Sequence, residues 1–164
     1  MNSHYRNIRI TLIIVFSAIG ILSFSLFAYW ILLSVFGFER EEKTFVEIAW
    51  KFKGFLVLGL FSVITSFALI KNRKNEIVFG FSIPIGLLLY FFLDITKYSL
   101  NYHLLTLLNE QIWPILYILA LILIFIGLIK MRNKLDRFKP WEYIAVGLLA
   151  LSLFLSLNFM DFKL

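Results

Sequence analysis

Residues 10–38 run for 29 positions, ITLIIVFSAIGILSFSLFAYWILLSVFGF, without one charged side chain. A helix on the surface of a soluble protein needs a polar face, and this segment has none. An α-helix rises 1.5 Å per residue, so about 20 residues cross the roughly 30 Å of hydrocarbon in a bilayer. This run exceeds that length, and its helix is expected to tilt or to project from the bilayer. It is also too long for the apolar core of a cleaved signal peptide, which covers about 7–15 residues.

Four more apolar runs follow, at residues 54–70, 77–96, 112–129 and 143–160. The first, third and fourth of these hold only 17 or 18 residues, so flanking residues have to help them reach both interfaces. None alternates with period two, which favours helices over barrel strands. The chain is 61% hydrophobic, where soluble domains are about half apolar, and its mean hydropathy is +0.89. No linker or low-complexity segment divides it. The expected fold is all-α: one integral membrane domain over residues 1–164, a bundle of five transmembrane helices.

The cations set the expected orientation, because Lys and Arg collect in cytoplasmic loops. Arg6 and Arg9 precede the first run, and Lys71, Arg73 and Lys74 lie between the second and third. Lys130, Arg132, Lys134, Arg137 and Lys139 lie between the fourth and fifth. In a five-span chain these share one side, and Arg40, Lys43, Lys51, Lys53, Lys97 and Lys163 take the other. Removing one span would separate the basic clusters. The N-terminus is therefore expected inside and the C-terminus outside. Usage rich in Ile, Phe, Leu, Lys and Asn reads as an AT-rich bacterial gene, so a bacterial cytoplasmic membrane is the expected location.

The short basic loops predict two antiparallel hairpins, spans two with three and four with five, with Pro140 opening the last helix. On the other side, residues 44–52 (TFVEIAWKF) place Phe45, Ile48, Ala49 and Phe52 on one helical face. That pattern predicts a short amphipathic helix in the interface, anchored by Trp50. Serines at 17, 23, 25 and 34, and the pairs Ser62/Ser66 and Ser152/Ser156, fit close helix packing through small residues. Span four has few small residues, Ala120 and Gly127 among them, and is expected on the lipid-facing side.

The net charge of +6 does not point to nucleic acid, since the cations sit in short loops between apolar runs. With no cysteine, disulfides, thiol catalysis and cysteine-ligated metals are excluded. No serine-hydrolase elbow, zinc-protease helix or phosphate loop is present in the sequence. The acids of 39–42 alternate with Arg40 and Lys43 as in a solvated helix end. Asp94, His103 and Glu110 could serve as hard metal ligands only through an unproven loop fold. No catalytic residue, cofactor or metal is therefore assigned.

One polar stripe stands out. Tyr90, Asp94, Lys97 and Asn101 recur at helical spacing and lead toward His103, continuing a small face made by Ser82 and Gly86. Two readings of it are open. Asp94 and Lys97 form an interfacial pair, with Tyr98 and Tyr102 in an aromatic belt. Alternatively Asp94 faces a polar cavity, since ionisable groups in spans often mark pathways. The second candidate site is Lys130, Arg132, Lys134, Arg137 and Lys139, five cations suited to anionic lipid headgroups. The leading functional expectation is a non-enzymatic accessory or assembly subunit. A small transporter using the Tyr90–Asp94–Lys97 stripe comes second, and a membrane enzyme acting on lipid at the outer face third. The expected partners are the bilayer itself and another membrane protein or a second copy of the chain.

Overall fold

The computed structural model describes residues 3–36, 50, 52–73, 75–99, 112–135 and 139–158. Within these, the side chains of 3–4, 35, 93–99, 112–115, 117, 132–135 and 158 lie outside the description. The described chain is all-helical, with α1 at Ser3–Phe36, α2 at Lys53–Lys71, α3 at Ile77–Ser99, α4 at Ile112–Leu135 and α5 at Pro140–Asn158. Three helical segments, Tyr5–Ser34, Lys53–Lys71 and Pro140–Leu157, are long and apolar enough to cross a membrane. Ile77–Phe92 and Ile118–Met131 are shorter apolar stretches. Large apolar side chains also cover the outside of the bundle, among them Ile14, Ile21, Leu123, Ile144 and Leu148, each more than 60% exposed. A soluble monomer rarely presents so much contiguous apolar surface. Length and surface together suggest a membrane location.

The most extensive pairing is α1 with α2, which run antiparallel. At one end Arg9 meets Leu69 and Ile70. Farther along, the Ser17 hydroxyl donates to Ser66 Oγ at 3.2 Å. The ring of Phe24 lies against Gly59, where a Cβ would sit 3.0 Å from it. At the other end Trp30 stacks on Phe52, their centroids 5.4 Å apart. Small residues let the two backbones approach, and the aromatic ring fills the space they leave.

The second large interface joins α3 to α5. A Cβ at Gly86 would stand 3.0 Å from the carbonyl oxygen of Ala150 and 3.0 Å from Leu153 Cδ2. Ser82 and Pro84, on the same helix, are fully buried. The small face read from the sequence is thus a helix-packing face. α3 runs unbroken through Pro84.

Sequence reasoning expected α4 and α5 to pack as a hairpin. Instead α4 packs chiefly on α3, and next on α1. Phe81 and Phe125 meet edge to face, and Gly127 lies beside Leu12. A short loop fixes only where two helices begin and end. Which faces meet depends on close approach, and α5 offers Ala150, 1% exposed, to Gly86. α4 has little to match this: Ala120 is exposed and Gly127 half-buried. The outward side of α4, with Leu116, Leu119, Ile122, Leu123 and Ile126, is exposed as expected.

The buried core gathers toward the end where α2 joins α3. Leu12 and Phe16, Ala68 and Leu69, Ile77 and Val78, Leu128 and Met131 all belong to it. Beyond Trp30, the last residues of α1 expose Leu32, Leu33 and, at 80%, Phe36.

Candidate functional site

Two helix termini at the tightly packed end carry bonds that the charge count alone did not reveal. α2 stops at Asn72, whose φ of 54° and ψ of 35° place it in the left-handed region. Asparagine tolerates this conformation better than most residues. The Arg73 N–H then reaches back to the Ala68 carbonyl at 2.9 Å, as in a Schellman turn. Two more terminal carbonyls, Leu69 O and Ile70 O, accept from Arg9 Nε and Nη2, both at 2.8 Å. A cation from α1 therefore complements the negative end of the α2 dipole.

α5 begins, as expected, at Pro140. The Lys139 N–H donates to Glu142 Oε2 at 2.8 Å, and the Glu142 N–H donates to the Lys139 carbonyl at 2.9 Å. Glu142 is fully buried. This is the glutamate half of a capping box, with lysine where serine or threonine usually stands. The spacing Lys139-Pro-Trp-Glu142 before an apolar run was the available signal, and sequence reasoning passed over it.

Around this end Arg6, Lys71, Arg73, Lys130 and Lys139 are exposed. Arg73 Nη1 pairs with Glu76 Oε1 at 2.9 Å. Of the five cations between the fourth and fifth apolar runs, the side chains of Lys130 and Lys139 are described. Those of Arg132, Lys134 and Arg137 are outside the described residues.

At the opposite end Tyr29 meets Trp30 edge to face, Trp30 stacks on Phe52, and Lys53 Nζ sits 4.2 Å above the Trp50 ring. Phe52, expected on an interfacial helix, is instead 3% exposed within the α1–α2 junction. Trp50 is 69% exposed, in keeping with an anchor. The rest of the expected amphipathic helix, with Phe45, Ile48 and Ala49, lies outside the described residues.

Of the polar stripe, Tyr90 is half-buried on α3 and packs against the core cluster. Asp94 and Lys97 lie on the described backbone of the same helix, while their side chains lie outside the description. Asn101, His103 and Glu110 fall outside the described residues altogether. The structure thus joins Ser82, Gly86 and Tyr90 to the packed side of α3.

Hydroxyls within the helices are largely turned onto backbone. Ser34 donates to Trp30 O, Ser62 to Leu58 O, Thr65 to Phe61 O, Ser82 to Phe79 O and Ser156 to Ser152 O, all at 2.7–2.8 Å. Such bonds satisfy a hydroxyl inside apolar surroundings without a second helix. No family model matches the chain, and no curated protein or solved structure matches it.

Proposed function

We propose that the chain is a five-span protein of a bacterial cytoplasmic membrane, N-terminus inside and C-terminus outside, that acts as a non-enzymatic accessory or assembly subunit. The observation that carries this reading is the disposition of hydroxyls. Those of Ser62, Thr65 and Ser82, all in the buried interior, bond to carbonyls of their own helices. Ser17 spends its hydroxyl on a neighbouring helix. These hydroxyls are spent on their own helices, or in Ser17 on helix packing, rather than presented to a substrate. The exposed cations at one end of the bundle support the orientation.

Purification from native membranes in a mild detergent tests the role. A second membrane protein in fixed stoichiometry is the expected result. Homogeneous recovery of this chain alone, with vesicles of it passing ions or protons, would overturn it in favour of transport. That second reading has one observation behind it: α3 packs on α2, α4 and α5, so its polar positions lie on a helix with neighbours on several sides. Reporters fused after Arg73 and after Leu164 test the topology, with cytoplasmic and extracytoplasmic readings expected respectively. Both on one side would exclude five spans.

A further inference from the structure

The outward face of α2 exposes Leu60, Val63, Phe67 and Ile70, each 45–52% accessible and spaced three or four residues apart. These residues make one apolar track along the helix. The track ends at two cations. The guanidinium carbon of Arg73 lies 5.6 Å from the centroid of the Phe67 ring, within cation–π reach. Lys71 is exposed beside it, and among the described residues its ammonium has no partner. Arg73 gives Nη1 to Glu76 Oε1, and its side chain is still 59% exposed. Its other guanidinium donors are unengaged among the described residues. A topology signal needs only the number of cations near a loop. Here a guanidinium is held by an aromatic ring at the end of an apolar track, which is the shape and polarity of a lipid with an anionic headgroup.

The geometry points to a seat for one anionic phospholipid on α2, with the phosphate held by Lys71 and Arg73 and an acyl chain along Ile70, Phe67, Val63 and Leu60. The inference rests on the membrane reading above but not on which end of the bundle is cytoplasmic. Glu76 competes with the phosphate for Arg73, and so limits the affinity of the seat.

The test uses the full chain in detergent with equal phosphatidylglycerol and phosphatidylcholine, counting retained lipids by native mass spectrometry. Each cation near an anionic surface is worth about fivefold in binding. Wild type should retain phosphatidylglycerol preferentially, and the double variant Lys71→Gln with Arg73→Gln should lose about thirtyfold in its affinity. Glu76→Gln should strengthen retention, a gain that misfolding would not produce. Lys53→Gln, at the opposite end, should behave as wild type. The seat is overturned by a loss below about threefold in the double variant, where two cations predict far more. It is overturned equally if Lys53→Gln matches that loss, if Glu76→Gln weakens retention, or if the two lipids are held alike. Failure of the membrane reading looks different: the wild-type chain would stay soluble without detergent and retain neither lipid.

Discussion

Arg9 Nε lies 2.8 Å from the carbonyl oxygen of Leu69 across 60 residues of chain, tying the start of α1 to the end of α2. With the parallel bond to Ile70 O, it satisfies two carbonyls that helix termination leaves open. Arg9→Leu is expected to cost about 1.5–2 kcal/mol, the lower part of the range for charged hydrogen bonds, because the Ile70 bond is exposed to water. Arg9→Lys should recover only part of this, since an ammonium lacks the fork that reaches both oxygens. Thermal unfolding in detergent measures the difference. Equal midpoints for wild type and Arg9→Leu would mean that water caps α2 as well as the guanidinium does.

Gly86 offers a sharper case. A Cβ there would meet the Ala150 carbonyl oxygen at 3.0 Å, and backbone cannot swing aside as a side chain can. Gly86→Ala should cost about 1–3 kcal/mol and Gly86→Leu more. Leu88→Phe, at a half-buried position on the same helix, should be milder. Adding Leu153→Ala to Gly86→Ala would remove the Cδ2 contact but leave Leu153 Cβ at 3.2 Å and the Ala150 carbonyl oxygen at 3.0 Å. Full recovery in that double variant would show the carbonyl contact to be unimportant.

The Ser17–Ser66 pair is expected to couple weakly. Double-mutant cycles for hydrogen bonds between membrane helices average about 0.6 kcal/mol. Alanine at both positions should therefore show an interaction energy near that size. Replacing Ser62 should show none with Ser17, because Ser62 bonds within its own helix. A coupling above about 2 kcal/mol, beyond the range measured for such bonds, would call for a larger shared network.

Asp94→Asn and Lys97→Met separate the two readings of the α3 stripe. As an exposed interfacial pair they should each cost less than about 1 kcal/mol. Within a cavity that restricts water, removing Lys97 would strand a carboxylate, at about 3–5 kcal/mol. Unfolding midpoints of the two variants in one detergent decide between them.

The helices were legible in the sequence, and so was the pairing of α2 with α3, but the larger seams of α1 with α2 and α3 with α5 were not. Apolar runs located all five, yet α1 begins at Ser3 and α4 continues to Leu135, well beyond the runs at 10–38 and 112–129. A charge marks where a helix leaves apolar surroundings, not where its hydrogen bonding stops. Pairing was harder because it depends on single close approaches such as Gly86 on Ala150, which no periodicity reveals. Arg9 and Glu142 were hidden for a related reason: counted as charges, they gave no sign of which helix end each would reach. The candidate stripe was legible only as far as Tyr90, where its small-residue half became a packing face.

The antiparallel seam of α1 and α2 joins two helices of unequal apolar length. From Arg9 to Trp30 the α1 axis rises about 32 Å, which already matches the hydrocarbon layer. The turn and a half beyond it, ending at Phe36, has no counterpart on α2. Because Arg9, the serine pair and the Trp30–Phe52 stack hold the register, α1 cannot slide to share the excess. In the bilayer proposed for it, the described part of this seam would present a taller wall on the α1 flank than on the α2 flank. The pair would tilt, the lipid beside α1 would thicken, or Leu32, Leu33 and Phe36 would stand above the acyl chains. The two flanks would thus ask different thicknesses of one membrane, with a thicker one suiting α1 better than a thin one.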